Sequence, residues 1–298
     1  MSDVKTVYII VGPTAVGKTA FAISLAQALQ TDIISADARQ CYQEMNIGVA
    51  RPSKEELDLV PHHFIASHSI HDEINASFFE NYALEKVNEI FKQKDSVVMV
   101  GGTGLYIKAF CEGLDLIPPI NPEVREGIIR QYEKLGLRWL QKEVSVKDPA
   151  YWEKGEQQNP QRLMRALEVM LGTQASILSF QQKNKAIRPF KMVKIGIEMP
   201  RPLLYERINQ RVLNMVEEGL EQEVKILLPN FSLNALQTVG YSEWQPYIAG
   251  NMGKSRVIEL IQQNTRHYAK RQMTWFKKDP EIKWYQASMI NTDQIIGG

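Results

Sequence analysis

Gly12-Pro13-Thr14-Ala15-Val16-Gly17-Lys18-Thr19 fits the pattern G-x-x-x-x-G-K-[ST]. Ahead of it, Thr6–Val11 (TVYIIV) is a β-branched and aromatic run that reads as a buried strand. Behind it, Thr19–Leu29 carries apolar residues at helical spacing. Strand, glycine turn and helix in that order make a phosphate loop. The glycines let the backbone curl so that successive N–H groups point into one concavity, and the helix N-terminus adds partial positive charge. Lys18 supplies a mobile cation, and the Thr19 hydroxyl is placed to ligate Mg²⁺. The loop as a whole, Gly12 to Thr19, is expected to bind a polyphosphate or a diphosphate.

Working outward, Asp32–Ser35 (DIIS), Ser96–Val100 (SVVMV) and Met192–Ile197 (MVKIGI) read as further strands. Ser77–Lys92 reads as an amphipathic helix between two of them, with Phe78, Tyr82, Val87 and Phe91 on one face. Strands alternating with helices predict an α/β fold, a P-loop NTPase-like parallel sheet core flanked by helices. After Gly113 the character changes. Pro118, Pro119 and Pro122 punctuate the chain, and the next seventy or so residues offer helices at 123–135, 137–143, 161–171 and 175–182 but no strand. Residues 116–190 are therefore expected to form an all-helical insertion domain. The core is assigned to 1–115 and 191–298, with long helices near 203–228 and 255–276.

The 298 residues are 44% apolar and 23% charged, a globular balance that excludes a disordered or fibrous chain. Two cysteines, Cys41 and Cys111, are too few for a disulfide framework and read as small buried side chains. No apolar run approaches the ~18 residues of a membrane span. Met1-Ser2-Asp3-Val4-Lys5 lacks the apolar stretch of a secretory signal, so a soluble intracellular setting is expected. The formal charge is +1, so any nucleic-acid affinity must come from local patches. Residues 254–278 supply one candidate, with seven Lys/Arg and one acid.

The loop has the general ATP- and nucleotide-binding pattern, yet an ATPase needs a later strand ending in an Asp that holds Mg²⁺. Here Ser96–Val100 runs into Gly101-Gly102-Thr103-Gly104, and no carboxylate follows until Glu112. The anion is held for another purpose. Asp37 follows the second strand, and strand carboxyl ends face the ligand crevice of an open α/β sheet. It could ligate a metal, take a proton from a nucleophile, or cap a helix. A P-loop kinase and a non-catalytic RNA-binding protein remain open at this point.

The motifs taken together resemble the tRNA isopentenyltransferase (tRNA dimethylallyltransferase) family, bacterial type. They are GPTAVGKT at 12–19, SADARQCYQEMNIGVARP at 35–52, VGGTGLYIKA at 100–109, NPQRLMRALEV at 159–169, RINQRV at 207–212, EEGLEQEV at 217–224, VGYSEW at 239–244 and YAKRQMTWF at 268–276. The match extends, in order, from residue 7 to about 285. The resemblance implies transfer of a dimethylallyl group from dimethylallyl diphosphate to N6 of adenosine 37 of tRNA, releasing diphosphate. It implies Asp37 as the base, Lys18 and Thr19 on the diphosphate, Mg²⁺ held by Thr19, and Thr103 beside the reacting adenine. Arg211 matches the diphosphate clamp, with Arg207 the competing candidate one turn earlier. The tRNA contacts it implies are Asp37, Ala38, Arg39, Gln40, Thr103, Arg125, Gln161, Arg162, Leu163, Met164, Arg165, Lys270 and Arg271. A cytoplasmic monomer without a stable protein partner is the family expectation.

Two positions depart from the family pattern. Ala38 stands where Ser is usual, and Phe64-Ile65-Ala66-Ser67 follows His62-His63 where an Asp is frequent. His62, His63, His68 and His71 fall within ten residues, but no cysteine accompanies them and the segment reads as a loop. Trp139, Trp152 and Trp284 read as packing residues, while Trp275 stands between core and RNA stacking.

Overall fold

A computed structural model describes residues 4–181 and 185–297. Met1-Ser2-Asp3 and Gln182, at the end of the helix expected over 175–182, lie outside the described residues. The chain runs β1 (Thr6–Val11), α1 (Lys18–Ala28), β2 (Ile33–Ser35), α2 (Lys54–Leu59), β3 (His62–His63), α3 (Ala76–Ile90), β4 (Ser96–Val100) and α4 (Gly104–Glu112). It continues through α5 (Pro122–Lys147), α6 (Pro149–Lys154) and α7 (Pro160–Thr173). It closes with β5 (Lys191–Glu198), α8 (Arg201–Glu217), α9 (Leu220–Leu227), α10 (Gln245–Ile248), α11 (Lys254–Phe276), β6 (Lys283–Gln286) and α12 (Asp293–Ile296).

The six strands are all parallel, in the order β3-β2-β4-β1-β5-β6. Parallel strands need helical crossovers, which cover both faces of the sheet and bury it on each side. The side-chain period of two then sorts each strand between two cores. Val7, Ile9, Val97 and Met99 pack on one face with Phe79, Phe110 and Val257. Ile10, Val98 and Val100 pack on the other with Leu25, Leu204 and Ile208.

The register places the site. Val100 pairs with Ile10 on one side and with Ser35 on the other, so β1, β2 and β4 end at one level. Their carboxyl ends release the phosphate loop, the Asp37 turn and the Gly101–Gly104 loop side by side. Three backbone bonds fasten them: Ala36 N–H to the Val100 carbonyl (2.7 Å), Gly101 N–H to Ile10 (3.2 Å) and Thr103 N–H to Ala36 (3.2 Å). A side chain at residue 101 would place its Cβ 2.1 Å from the Ala36 carbonyl oxygen, so that seam admits only glycine.

The described residues fall into two compact units, one built from the chain up to Glu112 and again from Ile187, the other from Gly113 to Ala186. In the second unit, α5 and α7 bury Leu140, Val144, Leu163, Ala166 and Leu167 against each other, with Trp139 and Trp152 at the margin. Gly136 adopts φ 73° inside α5, which is the break between the helices expected at 123–135 and 137–143. The stretch expected as a helix at 175–182 forms only a 3₁₀ turn at Ile177–Phe180. Likewise the helix expected at 203–228 is two, because Gly219 turns left-handed at φ 101° between α8 and α9. His62 and His63, read as loop, form the edge strand β3, and β6 escaped the sequence reading because Lys283–Gln286 is half polar. Among the described residues, no helix is long and apolar enough to cross a membrane.

Candidate active site

Above the carboxyl ends of β1, β2 and β4 lies a cavity of about 350 Å³. The phosphate loop forms its floor through Thr14, Ala15, Gly17, Lys18 and Thr19, with Asp37, Gln40, Gly101 and Gly102 beside it. Arg207 and Arg211 enter from α8, Tyr268 and Gln272 from α11. Val49, Pro52, Ile65 and Val100 add an apolar wall, and Ala20, Ser35, Glu56 and His62 complete the lining.

The rest of the expected loop lies behind this floor. Val16 is buried in the core, and the Pro13 carbonyl accepts from Lys18 Nζ at 2.8 Å. At Gly12, with φ 149°, a Cβ would sit 2.4 Å from the Ile197 carbonyl oxygen of β5, so the strand can turn into the loop there only as glycine. Removal from water pushes the Lys18 ammonium down to about 7, the nearby Arg211 guanidinium pushes it the same way, and Asp37 opposes both. The floor thus holds crowded cations short of a counter-anion. A diphosphate would supply one.

That arrangement makes a pH prediction. With its free-site value lowered to about 7, Lys18 is largely neutral by about pH 8.5, and a bound anion favours its charged form. Diphosphate binding should then take up as much as one proton, and affinity should fall as pH rises through about 7. Titration calorimetry in buffers of different ionisation enthalpy reads the uptake, which should vanish in Lys18→Ala.

Arg211 Nη1 donates to the Thr14 hydroxyl at 3.1 Å, so α8 grips the loop directly. Burial lowers the Arg211 value, against the pull of Asp37, Glu56 and Glu218. Arg207 also lines the cavity but is exposed. Asp37 Oδ1 accepts the backbone N–H groups of Arg39 (2.9 Å) and Gln40 (3.2 Å). The capping geometry foreseen as an alternative is therefore present, closing a turn instead of a helix, and it fixes the carboxylate at the cavity wall.

Thr103 stands where the Gly101–Gly104 loop meets the Asp37 turn. It is absent from the cavity lining; its hydroxyl accepts from the Ala38 N–H at 3.0 Å, with Tyr268 close by. It holds the turn that carries Asp37. Gln40 spends its amide on the carbonyls of Val49 (3.2 Å) and Ala50 (2.9 Å), bracing the apolar wall. On α11, Lys270 and Arg271 are exposed and line a second depression with His267, Thr274, Trp275 and Lys278. Trp275 is 39% exposed while its indole closes over Gly104, so it is neither core nor free.

The helical unit separates its expected contact residues. Gln161 and Arg162 are exposed at the start of α7. Leu163 and Met164 are buried in that unit's core, because the apolar face of α7 must cover α5, and this corrects their expected place at the RNA surface. Arg125 and Arg165 reach the two oxygens of buried Glu168 at 2.8 and 2.9 Å, with roughly two-fifths of each arginine side chain in solvent.

The lining residues that sequence reasoning missed include Ser35, Val49, Pro52, Glu56, His62, Ile65, Tyr268 and Gln272. Tyr268 and Gln272 lie inside the YAKRQMTWF stretch, spaced four apart on one helical face. The thiols of Cys41 and Cys111 are buried, and burial pushes each up to about 12, which suits packing and not nucleophilic work.

A family model described as IPP transferase matches residues 40–279. A tRNA dimethylallyltransferase of Christiangramia forsetii is 46% identical over 277 residues, covering 93% of this chain and 92% of its own. One of Flavobacterium johnsoniae is 45% identical over 297 residues, covering 98% and 96%. Among solved structures, the full-length tRNA isopentenylpyrophosphate transferase of Bacillus halodurans matches with a TM-score of 0.71 at 34% identity, covering 98% of this chain and 93% of that one. With a family model matching most of its residues and likeness to relatives over nearly the whole length, the chain belongs to the IPP transferase family.

Proposed function

We propose that the protein transfers the dimethylallyl group of dimethylallyl diphosphate to N6 of adenosine 37 of tRNA, forming N6-(dimethylallyl)adenosine and diphosphate. The observation that carries this reading is the meeting of Asp37 with Lys18, Thr19 and Arg211 in one cavity. An exocyclic amine is a poor nucleophile because its lone pair is delocalised into the ring. Asp37 takes an N6 proton as the C–N bond forms, and the allylic C–O bond to diphosphate breaks. Charge grows on the departing diphosphate, where the loop amides, Lys18 and Arg211 are preorganised to meet it. The donor's isoprenoid part fits the wall of Val49, Pro52 and Ile65.

The residues fit a substrate-borne Mg²⁺. Among the described residues, no group of three His, Cys, Asp or Glu side chains could hold a metal. Mg²⁺ needs no such cage, since it keeps several waters and binds through substrate phosphates. Thr19 would supply the protein oxygen, and the ion would neutralise leaving-group charge. The loop thus serves a diphosphate, not ATP hydrolysis.

The tRNA is met by the Asp37–Gln40 turn, by Lys270 and Arg271, and in the helical unit by Arg125, Gln161, Arg162 and Arg165. A stacked adenine hides N6, so adenosine 37 must leave the anticodon-loop stack to react. The enzyme works as a monomer in the cytoplasm. Incubation with dimethylallyl diphosphate, Mg²⁺ and unmodified tRNA bearing adenosines at positions 36 to 38 should yield prenylated adenosine by nucleoside mass spectrometry. Equal modification of free AMP, or no product, would contradict the reading.

A further inference from the structure

Gln272 is a buried polar side chain in the middle of the basic helix α11. Its Oε1 accepts the backbone N–H of Thr14 at 2.8 Å, and its Nε2 donates to the Gly102 carbonyl at 3.0 Å. One amide therefore spans two loops that come from different strands. Thr14 belongs to the phosphate loop, and its hydroxyl is held from the other side by Arg211. Gly102 precedes Thr103, which holds the turn of Asp37 through Ala38.

The neighbours of Gln272 on α11 touch the same seam. Tyr268 lies close to Thr103, and a Cβ on Gly104 would lie 2.3 Å from the Trp275 ring. A Cβ on Gly102 would lie 2.1 Å from Gln272 Nε2, so that glycine leaves room for the bridge. The chemistry of the two bonds fixes the amide's orientation: an N–H needs an acceptor and a carbonyl needs a donor.

We propose that Gln272 is a positioning residue for prenyl transfer, setting the separation between the loop that holds the donor diphosphate and the loop that fastens the turn of the proton acceptor. This rests on the reading of those loops given above. Transfer requires the allylic carbon and N6 to approach to about 3–3.5 Å, and a misplacement of about 1 Å can cost ~10²-fold. A brace across the two loops acts on that distance without binding either substrate more tightly.

The test compares Gln272→Leu and Gln272→Glu with the unaltered enzyme, using dimethylallyl diphosphate and tRNA. Gln272→Leu should slow single-turnover transfer ~10–100-fold at saturating substrates, with KM for each within about threefold. Gln272→Glu keeps an acceptor for Thr14, but as a carboxylate it repels the Gly102 carbonyl. Protonation restores the donor, so its rate relative to the unaltered enzyme should rise as pH falls, while that of Gln272→Leu should not. If Gln272→Leu does not fold, Gly102→Ala displaces the same amide and should reproduce the loss in rate at unchanged KM. A full rate at saturation, a loss through KM alone, or a flat relative pH profile for Gln272→Glu overturns the proposal. Lys18→Ala separates the two readings. If it leaves donor affinity intact, the assignment of the donor loop fails; if it weakens the donor while both Gln272 variants transfer normally, only the brace fails.

Discussion

Asp37→Ala is expected to lower the rate of prenyl transfer ~10²–10⁴-fold, the range typical of a lost general base, while binding of the diphosphate donor changes little. The geometry sets this apart from a simple loss of structure. Asp37 Oδ1 closes the turn through the amides of Arg39 and Gln40, and the carboxylate lines the cavity beside the phosphate loop. Asp37→Asn separates the two duties. Its side-chain oxygen can still accept both amides, so the turn and the melting temperature should survive, but it cannot take a proton from N6. Pre-steady-state transfer on tRNA, measured beside thermal unfolding, reads both. If Asp37→Asn transferred at the unaltered rate, the carboxylate would be a capping group only.

Lys18→Ala is expected to cost ~10²–10³-fold in transfer, the usual effect of removing one preorganised donor from developing negative charge. Its tRNA affinity should stay near that of the unaltered enzyme. Arg211→Ala should behave the same way, because Arg211 reaches the loop at Thr14. Arg207→Ala should cost less, since that side chain is exposed and makes no such contact. The check is donor binding by calorimetry alongside tRNA binding by filter retention. Equal loss of both substrates in Lys18→Ala would mean a collapsed site and not a missing cation.

Much of this arrangement was legible in local sequence. The phosphate loop has short-range rules: a strand, glycines at fixed offsets, then a helix start. Gly12–Gly17 accordingly lies between β1 and α1, and Lys18 and Thr19 open the helix. Asp37 was legible because strand ends face the crevice, and β2 does end at Ser35. What stayed hidden were roles set by contacts far apart in the chain. The Thr103 hydroxyl accepts from an amide 65 residues earlier, a contact its motif does not announce. Gln272 bridges to residues 258 and 170 positions away, which no spacing rule announces.

The remaining misreadings also have local causes. Leu163 and Met164 were grouped with their polar neighbours by motif, although helical periodicity alone turns them inward. The two-residue β3 has too little chain to show an alternation, and it exists because Ile33 and Ile34 offer β2 as a template. Gly219 and Gly136, by contrast, broke helices by the rule that lets glycine take positive φ.

A crystal structure of the protein with dimethylallyl thiodiphosphate and Mg²⁺ would show where the diphosphate sits and which way the allylic carbon faces. Both phosphorus atoms should lie over the phosphate loop, within hydrogen-bond reach of Lys18, Thr19 and Arg211, with the allylic carbon turned toward Asp37. Phosphorus density outside that cradle, or an allylic carbon directed away from Asp37, would contradict it.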